Sequence, residues 1–147
     1  MIRPAKSDDL PALVVLLEQL FSIEKDFTFD AAKQVKGLEL LIESETGHIA
    51  VAEIGGRVAG MATGQLLVST AEGGVALLVE DLVVAPSLQG NGLGPDLLQA
   101  VGDWGRLHGA KRMQLLADKE NSRAIAFYQN QQWQKTQLIC LRKYHKE

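Results

Sequence analysis

The sequence predicts a mixed α/β domain of the α+β kind, with helices packed on a central sheet. Three observations carry this. Apolar residues recur at three- and four-residue steps up to Glu43, then in strand-like runs from His48 to Ala85, then helically again. Glycines cluster at Gly55-Gly56 and Gly73-Gly74, where hairpins would turn. No linker, repeat or low-complexity stretch interrupts the 147 residues, which predicts a single domain over 1–147.

Taken in order, Ile2 to Ala5 reads as a first strand. Ser7 stands where an N-cap is expected, followed by Asp8 and Asp9, whose charges suit a helix N-terminus. Leu10, Leu13, Val14, Leu17, Leu20 and Phe21 then form one helical face, with Pro11 tolerated in the first turn. A second helix is expected over Asp30 to Glu43, with Ala31, Val35, Leu38 and Ile42 on one side. His48–Ile54 and Arg57–Ser69 read as a hairpin. Val75–Ala85 is almost continuously apolar, as a central strand is. Leu93, Leu97, Leu98, Val101 and Trp104 mark a helix over Leu93–His108. A strand over Lys111–Ala117, a helix over Ser122–Gln131 and a last strand over Gln134–Arg142 complete the order.

Composition narrows the function. Hydrophobic residues at 46% and charged residues at 22% suit a packed globule rather than a disordered chain. A net charge of −3 offers no broad basic field, so nucleic acid is not an expected partner. The apolar run Leu13–Leu17 is cut by Glu18 and falls far short of the ~20 residues a membrane helix needs, so no membrane association and a cytoplasmic location are expected. The lone Cys140 has no intrachain partner and is expected to be buried as a small apolar residue. His48, His108 and His145 are scattered without ligand spacing, so no metal is expected and each is read as a surface or structural residue.

The most informative segment runs from Val83 to Pro95: Val-Val-Ala-Pro-Ser-Leu-Gln-Gly-Asn-Gly-Leu-Gly-Pro. It leaves a buried strand, turns through glycines and opens a helix. Unpaired N–H groups and the positive end of the helix dipole together make an anion site suited to a phosphate or pyrophosphate. A Walker loop would need Gly-Lys-Ser/Thr where Gly94-Pro95-Asp96 stand. A dinucleotide fingerprint would need a third glycine at Pro95. A glycine-rich connection that binds nothing is the plain alternative.

Gln89-x-x-Gly92-x-Gly94 resembles the acetyl-CoA signature of the GNAT superfamily of N-acetyltransferases, Q/R-x-x-G-x-G/A. Val83-Val84-x-Pro86 is similar to the end of that family's fourth strand, and Asn121-x-x-Ala124-x-x-Phe127-Tyr128 to its second motif. The Gly55–Gly60 hairpin is also family-like, so the resemblance runs through nearly the whole chain in order. Glu80-Asp81-Leu82-Val83-Val84 is most similar to the diamine and polyamine acetyltransferases. Two positions depart from the pattern: Pro95 replaces a small residue whose N–H helps hold phosphate, and Gln132 replaces the glycine usual before the aromatic at Trp133.

The resemblance implies a mixed, mostly antiparallel sheet that splays between its fourth and fifth strands. Acetyl-CoA would serve as cosubstrate, without a metal. Pantetheine would pair with backbone groups at Leu82, Val83 and Val84, and pyrophosphate would sit on Gln89, Gly90, Asn91, Gly92, Leu93 and Gly94. The reaction would be direct attack by a small-molecule or peptide amine in a ternary complex. Glu80 is the candidate base, acting through water, because a carboxylate in an apolar strand is costly unless solvated, paired or functional. Alternation places its neighbour Asp81 on the opposite face, with a structural role. Tyr128 is the candidate acid for the leaving thiolate, since a phenol with a pKa near 10 is protonated at neutral pH; core packing beside Phe127 is its plain alternative. Asn121 is a candidate cofactor contact and equally a helix N-cap. Glu24, Asp26, Phe21 and Phe27, between the first two helices, lie where the family shapes its acceptor pocket. A dimer is usual for such folds. Two rivals stay open: a non-catalytic acyl-CoA-binding sensor or interaction domain of the same fold, and a protein whose glycine loop holds another nucleotide.

Overall fold

A computed structural model describes residues 1–146, which divide into two compact units: Met1 to Leu115, and Leu116 onward. The first unit holds a five-stranded sheet in the order β1 (Ile2–Pro4), β2 (Gly47–Ile54), β3 (Arg57–Ser69), β4 (Gly74–Val84) and β5 (Ala110–Leu115). The first four strands pair antiparallel and β4 pairs with β5 in parallel. This is the mixed, mostly antiparallel sheet expected. Three helices belong to the unit: α1 (Leu10–Ile23), α2 (Ala31–Glu43) and α3 (Leu93–Leu107).

Alternation along the strands gives the sheet two apolar faces. On one, Leu13, Leu16 and Leu17 of α1 and Leu38 of α2 form a core with Ile49, Val51, Met61 and Val83. Each such side chain, fully buried, stabilises the fold by about 1.5–3 kcal/mol before entropy is counted. On the other face lies α3. Its backbone approaches closely because small residues stand beneath it: a Cβ on Gly64 would come within 2.7 Å of Val101 Cγ1.

The entry to α1 differs from expectation. Ser7–Asp9 forms a 3-10 turn, and Asp9 rather than Ser7 organises it. Asp9 Oδ2 accepts the Lys6 N–H at 2.8 Å, and Arg3 forks onto both Asp9 oxygens at 2.8 and 3.0 Å while also reaching Glu53 at 2.9 Å. The Arg3 hydrogen bonds hold the Asp9 carboxyl below its usual range, against the opposing effect of burial. On the α3 face, Trp104 is flanked by His48 and His108, with ring centroids 5.0 and 4.5 Å away. Burial, and then the neighbouring His108, lower the pKa of His48.

β4 outruns β5. Their pairing runs from Val75↔Ala110 to Val79↔Leu115, and β4 then continues to Val84 with β3 alone beside it. The splay expected between the fourth and fifth strands is therefore present.

The second unit contains α4 (Ser122–Asn130). Asn121 caps its start, accepting the Ala124 N–H at 3.0 Å. Its end is a Schellman motif: the Trp133 N–H reaches Tyr128 O and the Gln132 N–H reaches Gln129 O, both at 3.0 Å. Gln132 takes the left-handed conformation this motif requires, at φ +70°, which explains why glycine is usual there. The strand expected over Gln134–Arg142 does not form; residues 134–146 carry no helix or strand. A strand exists through the ladder it makes, and an apolar sequence cannot by itself supply the partner. Leu138, Ile139 and Leu141 stand 81–86% exposed, and Cys140 is exposed rather than buried as expected.

Candidate active site

The register between β3 and β4 pairs Gly64 with Val79 and then Ala62 with Leu82. Thr63 alone spans Glu80 and Asp81, the two-against-one count of a β-bulge. The bulge changes which way the strand faces. Leu77 meets Gly105 of α3, yet Val83 lies in the core under α1 and α2. Even spacing along a regular strand would keep both on one face. The extra residue carries Val83 across and leaves Glu80 and Asp81 side by side on the α1 face. Their partners agree: Asp81 Oδ2 accepts the Thr63 hydroxyl at 2.9 Å, and Glu80 Oε2 accepts Gln65 Nε2 at 3.4 Å, from two β3 residues that share a face. The expectation that Asp81 faces away from Glu80 is corrected, because it assumed unbroken alternation.

Within this cluster the two carboxylates have different surroundings. Glu80 is exposed. Asp81 is tied on both sides of its Cα, since its own N–H also donates to Thr63 Oγ1, at 3.1 Å. Burial pushes the Asp81 carboxyl up to about 6; the Thr63 hydrogen bond opposes this and the charge of Glu80 adds to it. Thr63 is 0% exposed. Sequence reasoning passed over Thr63 and Gln65, and no sequence signal singles them out, since their importance depends on the register.

Beyond the bulge, the backbone of β4 alternates between β3 and the open side. The Ala85 N–H donates to Ala59 O at 2.7 Å, so Ala85 and Val83 turn their backbone groups to β3. Leu82 and Val84 turn theirs to the side that β5 has left. The Val84 carbonyl there accepts two side-chain amides, from Gln19 of α1 at 2.8 Å and from Gln89 at 3.1 Å. Thus of the three backbone positions expected to meet a cofactor, Leu82 and Val84 face the gap, while Val83 is engaged with β3 and with the core.

The glycine-rich segment follows directly. Pro86–Leu88 is a 3-10 turn, and Asn91 Nδ2 closes the next turn on Leu88 O at 3.1 Å. Gly90 and Gly92 stand at φ +84° and +81°, and Gly92 is the N-cap of α3. Leu93, Gly94 and Pro95 form its first turn, and the Asp96 N–H makes the first helical bond, to Gly92 O at 3.2 Å. The N–H groups of Leu93 and Gly94 precede that bond and so have no partner within the helix. Pro95 has no N–H to offer.

Tyr128 and Asn121 lie on and before α4, in the second unit, where the Tyr128 ring meets Phe127 and Trp133 edge-on at 5.2 and 5.9 Å. Between α1 and α2, Phe21 and Phe27 pack with centroids 5.8 Å apart. A separate groove of about 450 Å³ between the start of α1 and the β2–β3 hairpin, lined by Ala12, Val15, Arg57 and Val58 among others, contains none of the expected site residues. Among the described residues, no three His, Cys, Asp or Glu side chains gather as metal ligands would. No helix among them is long and apolar enough to cross a membrane.

Residues 17–132 match the model of the acetyltransferase (GNAT) family. No curated protein sequence matches the chain. Among solved structures, a possible acetyltransferase from Clostridium difficile 630 superposes with a TM-score of 0.88 at 19% identity, over 100% of this chain and 98% of that one. The aminoglycoside N-acetyltransferase AAC(6')-Iy in complex with CoA gives 0.86 at 19% identity, over 99% and 95%. A transcriptional regulator from Bacillus halodurans C-125 gives 0.85 at 20% identity, over 99% of each chain. These likenesses establish the fold.

Proposed function

Because the chain belongs to the acetyltransferase (GNAT) family, we propose that it transfers an acetyl group from acetyl-CoA to a small primary amine by direct attack in a ternary complex. The observation that carries this reading is the stretch from Glu80 to Gly94. There, two carboxylates, an open strand edge and the N-terminus of α3 follow one another.

The residues fit the cosubstrate. Leu82 turns its backbone N–H and C=O, and Val84 its N–H, to the side a further strand would take, which suits the amides of pantetheine; the Val84 carbonyl is already met by Gln19 and Gln89. The N–H groups of Leu93 and Gly94, at the positive end of α3, suit the pyrophosphate. Acetyl-CoA supplies the activated thioester; the chain supplies position and proton transfer. Glu80, exposed at the bulge, takes the ammonium proton through water and frees the lone pair that attacks. The gap-facing N–H groups of β4 stabilise the oxyanion. Tyr128 gives its proton to the departing thiolate.

Paired carboxylates on one face favour a cationic acceptor such as a diamine, in keeping with the motif around Glu80. Several structural neighbours carry the names of aminoglycoside acetyltransferases, which act on polycationic amines of another shape. The deciding experiment is an acetylation screen over diamines, polyamines, aminoglycosides, amino acids and peptide N-termini, read by free thiol release. Turnover of small cationic amines above the buffer rate is expected. No release with any amine, together with a thermal shift by acetyl-CoA, would instead leave an acyl-CoA-binding module; a shift by ATP or NAD alone would point to another nucleotide.

A further inference from the structure

We infer that Thr63 and Asp81 are a positioning pair, which makes the β4 bulge and so sets Glu80 on the α1 side of the sheet for proton transfer. The inference rests on the transferase reading above. It begins with an oddity of burial. Among the described residues Asp9 and Thr63 are the buried polar side chains, and Asp9 is accounted for by Arg3 and the Lys6 N–H. Thr63 sits at 0% exposure on β3, between the buried Met61 and the polar Gln65 of the same face. Its hydroxyl both donates to Asp81 Oδ2 and accepts the Asp81 N–H, at 2.9 and 3.1 Å. The two bonds close a ring across the strands at the point where two residues oppose one. A valine of equal size would satisfy neither bond.

The consequence for Glu80 is geometric and electrostatic. Were the register regular, Glu80 and Asp81 would face opposite sides, and the faces of Leu82 to Val84 would be exchanged. With the bulge in place, Asp81 fills the inner position on the α1 face and Glu80 the outer one. Glu80 is held only loosely by Gln65, at 3.4 Å. The charge of Asp81 behind it keeps the Glu80 carboxylate outward, where a water or an ammonium reaches it. Glu80 is the one charged group whose field acts noticeably on Asp81, and Thr63 the one hydrogen-bonding side chain. The pair therefore has no other obvious client.

The test uses the full chain with Thr63→Val, Thr63→Ser and Asp81→Asn. With an amine that the wild type accepts, Thr63→Val is expected to lower kcat/KM about tenfold or more, with a fall in kcat. Losing the hydroxyl donor also raises the Asp81 titration further, because that hydrogen bond opposes the effect of burial, and so moves the acid limb of kcat/KM upward. Thr63→Ser restores both. Asp81→Asn, which cannot titrate, loses the limb near pH 6. Wild-type kcat/KM and limb in a folded Thr63→Val protein overturn the inference, as does a loss that serine fails to restore. The Asp81 carboxyl is also followed by 13C NMR, which needs no turnover. An unmoved Asp81 signal in Thr63→Val overturns the pair, whereas a moved signal with no turnover by wild type overturns the transferase reading alone. If Thr63→Val does not fold, Asp81→Asn carries the comparison, and a limb near pH 6 that persists in it overturns the inference.

Discussion

At the residue scale, Tyr128 and Asp81 lend themselves to opposite kinds of measurement. Tyr128 stands on α4 with its ring edge-on to Phe127 and Trp133. Tyr128→Phe removes one oxygen and little volume. If the phenol protonates the thiolate, turnover falls roughly 10²-fold while melting temperature and acetyl-CoA affinity barely move. A purely structural tyrosine gives the reverse, a lower melting temperature with turnover per folded molecule preserved. Both are read on one purified variant. Asp81 is a stability question. Its carboxyl is raised to about 6 by burial, so the native chain holds a proton that the unfolded chain has already lost. That contribution is full below the ordinary carboxylate pKa and is lost as pH rises through about 6. Near pH 8 the wild type therefore carries a buried charge, and Asp81→Asn is expected to be more stable there by about 1–3 kcal/mol. The margin should shrink towards pH 4 in paired thermal melts; a margin constant with pH would contradict the linkage. Glu80 and the glycine loop were legible in the sequence, because a carboxylate in an apolar strand and glycines before a helix are local patterns. Thr63 was not, since nothing local marks the register that puts it opposite two residues.

At the scale of elements, the helices and the first five strands came within a few residues of their expected places, because apolar spacing and glycine turns are written locally. The last strand did not. Gln134–Arg142 has the apolar content of a strand, but pairing is a property of two segments, and residues 134–146 form no ladder. Two glycine-related positions yield predictions. Gln132 holds φ +70° as the C′ residue of the Schellman motif, a conformation costing a non-glycine residue roughly 1–2 kcal/mol. Gln132→Gly is expected to stabilise α4 by about 0.5–1 kcal/mol, after the larger entropy of unfolded glycine is offset. Amide hydrogen exchange on α4 would reveal it, and faster exchange in the variant would refute it. Gly64 is the converse case. A methyl there would stand 2.7 Å from Val101 Cγ1 and 3.0 Å from Leu77 Cδ1, so Gly64→Ala should destabilise the sheet–α3 packing by about 1–3 kcal/mol, measured by denaturant unfolding. An unchanged midpoint would mean that α3 can lift at no cost.

At the scale of the whole molecule, a chain of two compact units need not have a single stability, and a melting curve that averages them says little about either. The stack of His48, Trp104 and His108 turns this into an optical opportunity. The chain has two tryptophans: Trp104 in the first unit and Trp133 in the second. An indole in ring contact with an imidazole loses emission when the imidazole gains a proton, because the cation quenches the excited ring. Trp133→Phe thus leaves a chain whose fluorescence reports the sheet-bearing unit alone, with a built-in acid sensor. Adding His108→Gln isolates His48, whose half-buried ring resists protonation. Dimming in the double variant is expected only below the pH at which an exposed histidine titrates, and dimming at or above that pH would contradict the arrangement. Trp104→Phe provides the complement, a lamp in the second unit alone, so each unit can be watched by its own light.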